Sequence, residues 1–310
     1  MWSAIEWRLK RALYNHRCRA ILATPPIRAR QDGVVIFSMI GTQVLIPYLV
    51  AAKSLDHHLR RGRFVVMDDG TLTDADRKVL REHLDDPRIL PLSAADVGPC
   101  PTGGTWERLL TLLDMAGDDY VIQLDSDTVI TGPVPEVVQA VADNASFTLL
   151  GAETPVEEIA DVADFTRRSF PGGAPTHECR TGHIQGATES ILTELSLPGW
   201  PQLRYVRGCS GFAGFARGQN RQLATAFSQG ASAILGPKRW SEWGTEQVTS
   251  SFVIANDPGA RVLPSARYIN YWGETLPPDP AFLHFIGTYR WHRFEYLNWS
   301  MRAIRELGRQ

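Results

Sequence analysis

From residue 33 to residue 124, apolar runs of strand length alternate with helical stretches, and this rhythm narrows the fold more than any other feature. Val34-Val35-Ile36-Phe37 is a β-branched and aromatic run that reads as a buried strand. Residues 43–60 read as a helix, and Phe64-Val65-Val66-Met67 as a second strand. Asp68-Asp69-Gly70 is a turn, after which Thr73 caps a helix to Leu84 with acids in its first turn. A short strand at 88–92 and a loop from Pro99 to Gly104 follow; Thr105 then caps a helix carrying Leu109, Leu110, Leu112, Leu113 and Met115. Tyr120-Val121-Ile122-Gln123-Leu124 is the next strand. Such a βαβ series predicts an α/β fold with a mostly parallel sheet covered by helices. Ligands in such folds bind beyond the carboxyl ends of the strands.

The second half is less regular. Residues 169–186 read as a long loop and Phe212–Ala216 as a strand. Asn220 is placed as the cap of a helix to Phe227, and residues 242–255 read as a helix. Leu283-His284-Phe285-Ile286 is a late strand, and 291–309 the last helix.

Composition removes several function classes. The 310 residues are 44% hydrophobic and 21% charged, too apolar for a disordered chain. Lys and Arg number 32 against 34 acids, so the basic excess of a dedicated nucleic-acid binder is missing. Cys18, Cys100, Cys179 and Cys209 lie far apart, which suggests neither a disulfide framework nor a zinc site. The uncharged stretch 33–52 is a strand, a Gly41 break and a helix with Pro47 rather than a membrane span. No signal peptide is read at the N-terminus, so a cytoplasmic location is expected, with the inner face of the membrane as its refinement.

Residues 1–32 stand apart as a basic segment. Over the first 30 residues Arg8, Lys10, Arg11, Arg17, Arg19, Arg28 and Arg30 oppose the single acid Glu6, and Pro25-Pro26 ends the helical part. Trp2, Ile5, Leu9, Leu13 with Ala12, His16 and Ala20 recur at helical spacing. Two readings stand side by side: a helix making peripheral contact with an anionic membrane, or a docked terminal helix with a solvated basic face.

The strand at 120–124 delivers Asp125-Ser126-Asp127-Thr128 at its carboxyl end. Positions i and i+2 of an extended chain point the same way, and two carboxylates on one side repel unless a cation neutralises them. Hard divalent ions such as Mg²⁺ or Mn²⁺ take one or two carboxylates plus substrate phosphates. The bland alternative is an acidic turn at a strand end. Two enzyme classes use the pattern. Dehalogenase-type phosphatases place D-x-D-x-T on their first strand and would use Asp125 as nucleophile. Here βαβ units precede it, and Lys238 is the single lysine that follows. Nucleotide-sugar glycosyltransferases use D-x-D for a metal and the donor diphosphate.

With further motifs added, the chain resembles the GT-A glycosyltransferases, most of all the retaining family of glycogenin and the lipopolysaccharide galactosyl- and glucosyltransferases. Trp106-Glu107-Arg108-Leu109 is similar to the helix whose Arg contacts the nucleotide, and Gln123–Ile130 to the metal-site strand. Cys209-Ser210-Gly211-Phe212-Ala213-Gly214-Phe215 resembles the strand lining the sugar. Thr245-Glu246-Gln247 resembles the D-Q pair near the anomeric carbon, and His284-Phe285-Ile286-Gly287-Thr288-Tyr289-Arg290-Trp291 the H-F-x-G-x-x-K-P-W segment. Glu246, Ser210 and Arg290 stand where the family has Asp, Asn and Lys, and no Pro follows Arg290.

The resemblance implies a GT-A fold with a mostly parallel mixed sheet flanked by helices in a single domain over 33–310. Residues 33–132 would form the nucleotide half and 133–310 the acceptor half. It implies Mn²⁺ (or Mg²⁺) on Asp125, Asp127 and His284. Arg108, Ser210, Gly211 and Arg290 would hold a nucleotide-sugar donor, a UDP-sugar in the first instance, and Glu246 and Gln247 would act at the sugar. Asp69 is a candidate for the base or ribose. The implied acceptor is a glycan or lipid-linked acceptor, and a non-catalytic nucleotide-sugar-binding protein stands beside the phosphatase as an alternative. Each residue keeps its bland alternative: a core His for His284, a solvated helix face for Glu246, a plain turn for Asp69.

Overall fold

The computed structural model describes residues 4–151, 154–173 and 177–309. Helix α1 (Ala4–Cys18) and a 3-10 turn to Ala23 lead into β1 (Val34–Ile40), α2 (Leu45–Leu59), β2 (Arg63–Asp68), α3 (Asp74–Leu84) and β3 (Arg88–Pro91). Then come α4 (Trp106–Met115), β4 (Tyr120–Leu124), β5 (Thr128–Ile130), α5 (Pro135–Ala142), β6 (Phe147–Leu150), β7 (Ala160–Asp161), α6 (Val162–Ser169), α7 (His177–Thr181) and α8 (Ile184–Glu189). The remainder is β8 (Arg204–Tyr205), β9 (Gly208–Phe215), α9 (Gln222–Leu235), α10 (Pro237–Trp240), α11 (Thr245–Ala255), β10 (Arg261–Val262), β11 (Tyr268–Tyr271), β12 (Phe282–Phe285) and α12 (Glu295–Leu307).

These elements sort into two compact units interleaved along the chain. The first holds Met1–Leu92, Ile122–Gln139 and Pro264–Gln310; the second holds Ser93–Val121 and Ala140–Leu263. In the first, β1 and β2 run parallel with Ile36 opposite Phe64, β2 and β3 run parallel, and the strand order is β4-β1-β2-β3. A smaller sheet has the order β11-β12-β5, with β11 and β12 parallel and β12 antiparallel to β5. In the second unit β9 pairs antiparallel with β6, and β6 parallel with β10. The sheet is therefore mixed, as expected, and helices flank it.

Strands buried on both faces read as continuous apolar runs, which is why β1, β2 and β4 were visible in the sequence. Val34 to Phe37 and Val121 to Leu124 are all essentially inaccessible. Close packing explains Gly214 in β9: a Cβ there would lie 2.3 Å from the Phe147 ring and 2.6 Å from the Tyr120 hydroxyl. At Gly208 it would meet the hydroxyls of Thr148 and Ser251 at 2.6 and 2.7 Å. The missing side chains of this strand make room for neighbouring side chains.

The α3 cap forms as read, with Thr73 and Asp76 completing a reciprocal capping box. Thr105 does not cap α4. Its backbone is left-handed (φ 75°), which turns the hydroxyl away, and Glu107 accepts instead from the Gly103 N–H at 2.7 Å. The stretch 169–186 is not one loop, because α7 and α8 form within it. The His183 Nδ1 caps α8 by accepting from the Gln185 N–H at 3.2 Å, and Ile184 and Ala187 are buried. Helix α9 starts after Asn220, whose side chain accepts from the Gln222 N–H, and runs on to Leu235. The last helix starts late: a 3-10 turn spans Gly287–Trp291, and Arg293 and Phe294 take left-handed φ of 50° and 60° before α12.

Helix α1 docks within the first unit. Tyr14 is fully buried, stacks on Tyr296 of α12 with centroids 4.2 Å apart, and shares a hydrogen bond of 2.9 Å with Ser300. Such a ring pair contributes about 0.5–1.5 kcal/mol beyond its burial. Lys10 donates to the Trp291 carbonyl at 3.1 Å, and the Pro25 segment is tied down by Lys53, which donates to the Thr24 and Pro25 carbonyls. The apolar stripe read from the sequence is not the docked face: Leu9 stays 65% and Leu13 41% exposed. Trp2 lies outside the described residues. Among the described residues no helix is long and apolar enough to cross a membrane.

Candidate active site

Topology in the first unit brings three ligand-type side chains together. Strand β4 ends at Leu124, the chain turns through Asp125, Ser126 and Asp127, and β5 begins at Thr128. The two carboxylates thus meet through a turn, not through the pleat of an extended strand. The turn is held by its own backbone: Thr128 Oγ1 donates to the Asp125 carbonyl at 2.9 Å, and the Phe285 N–H to the Asp127 carbonyl at 2.9 Å. Tyr296 adds a hydrogen bond of 3.2 Å to the Ser126 carbonyl. The antiparallel register sets His284 on β12 opposite Thr128, and the parallel register sets Asn270 on β11 beside His284.

Ligand atoms of Asp125, Asp127 and His284 all lie within 4.8 Å of one another. His284 and Asp127 are nearly buried, and His284 Nε2 stands 3.4 Å from an Asp127 oxygen. The other ring nitrogen, Nδ1, pairs with the Asn270 side-chain oxygen at 2.8 Å. An amide oxygen can only accept, so Nδ1 carries a proton toward Asn270 and Nε2 is the ring nitrogen that faces Asp127. Arg290 donates to Asp127 at 2.6 Å and to the Gly287 carbonyl at 2.8 Å. Burial alone would raise the Asp127 pKa; the charges of Arg290 and His284 outweigh it and hold the carboxyl below the usual carboxylate range. One imidazole and two carboxylates form a donor set that suits Mn²⁺ or Mg²⁺.

The second unit gathers another cluster. Arg108, Ser210 and Glu246 are all buried. Arg108 Nη2 lies 3.3–3.4 Å from both Glu246 oxygens and 3.4 Å from Ser210 Oγ. Thr105 donates to Glu246 at 2.9 Å, and the Trp106 indole to Thr245 Oγ1 at 2.9 Å. Glu246 is therefore not on a solvated helix face. Gly211 follows Ser210 in the buried strand β9. Asp69 stands by itself in the first unit, exposed in the turn after β2, where it accepts from the Thr71 N–H and hydroxyl. Its neighbour Asp68 is buried and tied to Arg77.

The comparisons with known proteins bear on this arrangement. No family model matches the chain, and no curated protein matches it by sequence. Among solved structures, the galactosyltransferase LgtC in complex with donor and acceptor sugar analogues superposes with a TM-score of 0.51 at 14% identity, over 89% of this chain and 95% of that one. The chain has the GT-A fold. Mouse xyloside xylosyltransferase 1 is also similar, at 11% identity over 81% of this chain and 96% of that one, TM-score 0.42. So is core-mannan synthase A of Aspergillus fumigatus in its Mn/GDP form, at 8% identity over 93% and 88%, TM-score 0.44.

Within the GT-A fold of this chain, several polar residues escaped the sequence reading. Asn270, which orients His284, is one. Gln185, Glu189, Tyr205 and Arg207 are the others. Glu189 is fully buried; it accepts from Arg207 Nε at 2.9 Å and pairs with its Nη2, and from the Tyr205 hydroxyl at 3.1 Å. Gln185 gives its amide hydrogens to Glu189 at 2.9 Å and the Tyr205 oxygen at 3.0 Å. Its carbonyl oxygen then accepts from the Gln247 amide at 3.3 Å. That order turns the Gln247 nitrogen toward Gln185 and leaves its oxygen on the other side. No local pattern marked them: Glu189 has polar neighbours, Thr188 and Ser190, on either side.

The Asn270 contact carries an expected result. For a cluster that holds Mn²⁺, Asn270→Ala is expected to weaken its binding about 10–100-fold, the usual cost of removing the partner of a ligating His. Titration calorimetry checks it; unchanged affinity would mean that Asn270 plays no part in orienting His284.

Proposed function

We propose that the protein is a metal-dependent glycosyltransferase that moves a sugar from a nucleotide-diphosphate donor, a UDP-sugar in the first instance, to a glycan or lipid-linked acceptor. The observation that carries the reading is the Asp125–Asp127–His284 cluster at the carboxyl end of β4 in a chain with the GT-A fold. Bound there, Mn²⁺ or Mg²⁺ supplies Lewis-acid stabilisation of charge on the diphosphate leaving group. Arg290 fixes Asp127 and presents a forked donor to phosphate oxygens. Arg108, Ser210 and Gly211 are assigned to the donor, Glu246 and Gln247 to the sugar, and Asp69 to the base or ribose. Residues 33–132 then form the nucleotide half and 133–310 the acceptor half. A screen of UDP-, GDP- and other activated sugars with Mn²⁺ is expected to find at least one that binds or is hydrolysed. No bound donor, together with phosphomonoesterase activity, would favour Asp125 as a phosphatase nucleophile instead.

We also assign the exposed side of α1 to an anionic membrane surface at the cytoplasmic face. Leu9 and Leu13 lie one turn apart, and Arg8, Arg17 and Arg19 are exposed on the same helix and the turn after it. Apolar side chains beside arginines suit the headgroup boundary of anionic lipid. Because Tyr14 and Lys10 hold the helix in the fold, deleting it would be a poor test. Leu9→Glu/Leu13→Glu is expected to lose flotation with phosphatidylglycerol vesicles while keeping wild-type stability. Flotation equal to wild type would dismiss the assignment.

A further inference from the structure

A second set of metal-ligating side chains lies in the first unit, apart in sequence from the D-x-D turn. His57 and His58 occupy the last turn of α2, and Glu306 the last turn of α12. Their ligand atoms all fall within 4.8 Å of one another. The His57 Nε2 to Glu306 Oε1 distance is 3.3 Å. Two ligands on a tetrahedral ion at ~2.0–2.1 Å stand about 3.3 Å apart, so this edge already has the spacing of a coordinated pair. The two imidazoles are set edge to face, with centroids 4.7 Å apart and planes at 81°. His57 and His58 are half-buried, which limits the rotamer freedom that binding would have to freeze.

Two further facts bear on which ion is held. The cluster forms where two helices both end, so the carbonyl ends of two macrodipoles favour a cation there. Against this, Arg60 follows directly, its Nε reaching the His57 carbonyl at 3.4 Å, and brings a positive charge of its own. With one carboxylate and a nearby guanidinium, the cluster cannot hold a hard ion by charge alone. Two imidazoles and a carboxylate bind instead through ligand bonds of the kind that suit Zn²⁺. The D-x-D site, with two carboxylates and one imidazole, offers a harder donor set.

We propose that His57, His58 and Glu306 form a second metal site, selective for Zn²⁺ over Mn²⁺ and Mg²⁺, which clasps the end of α2 to the end of α12. Three protein ligands leave the fourth position to water. The clasp is structural: it fixes the C-terminal turn of the helix whose Tyr296 supports the Ser126 carbonyl.

The test uses the full-length untagged chain carrying Asp127→Asn, so that the D-x-D site is disabled. Titration calorimetry and the visible spectrum of Co²⁺ are expected to show one equivalent of Zn²⁺ or Co²⁺ bound with tetrahedral character, and a raised melting temperature with Zn²⁺. Mn²⁺ should give neither. Adding Glu306→Gln, an exposed change that leaves folding intact, should weaken Zn²⁺ at least tenfold; adding His57→Asn should do the same and remove the thermal shift. An Asp127→Asn protein that binds no Zn²⁺ would overturn the proposal, as would Zn²⁺ retained undiminished in both variants. Because the D-x-D site is absent throughout, neither outcome depends on the transferase reading.

Discussion

Asp127→Ala is expected to lower donor-sugar turnover on the order of 10³-fold, since metal stabilisation of a leaving group is worth several kcal/mol. The loss has two sources in this structure. The variant removes one of the three side chains proposed to hold the ion, and it strips Arg290 of the carboxylate that fixes its guanidinium. Asp127→Asn separates them: it keeps an acceptor for Arg290 but not the charge, and should be nearly as inactive if the metal dominates. The measurement is Mn²⁺-dependent hydrolysis or transfer from the best donor in the screen, with melting temperature as the control. Turnover that survives Asp127→Ala, or that is indifferent to chelation, would rule out the cluster as a metal site for the reaction.

Arg207→Ala is expected to cost about 3–5 kcal/mol of stability, the usual price of leaving a buried charge without its partner. Glu189 is fully buried, and both its oxygens are engaged by Arg207. Tyr205 and Gln185 offer Glu189 neutral hydrogen bonds that cannot replace the lost charge. Arg207→Ala/Glu189→Gln should recover much of the loss, because the double variant leaves no charge behind. Urea unfolding midpoints decide it. A single variant within about 0.5 kcal/mol of wild type, the range of ordinary surface changes, would show that water reaches Glu189. The network also ends on Gln247, so the same substitutions should disturb the orientation of that amide.

What the sequence disclosed follows from what each residue touches. Strands β1, β2 and β4 are buried on both faces and so announce themselves as apolar runs. The D-x-D was legible because its two acids follow directly on such a run. His284 was another matter: on an apolar strand it looks like a core histidine, and only the resemblance marked it as a ligand. Asn270 and Glu189 were out of reach because their partners are set by strand register and helix packing between distant stretches, which no local pattern records. Helix α8 was missed because its cap is a histidine, outside the Ser/Thr/Asp/Asn set that signals a helix start. Thr105 misled for the opposite reason: the residue type is right, but a left-handed backbone sends its hydroxyl to Glu246.

The Tyr14–Ser300 hydrogen bond joins positions 286 residues apart. Closing so long a loop costs only slightly more than closing one of half the length, because the entropy grows with the logarithm of length. The consequence is one of timing rather than of stability. Contacts of such separation slow folding, and a chain made from its N-terminus completes α1 long before α12 exists. Until then the Tyr14 ring lacks the Tyr296 face on which it finally stacks. The docking of these two helices should therefore be a late event in folding, and in refolding kinetics it should appear as a slow phase that reports on Trp7, Tyr14, Trp291 and Tyr296.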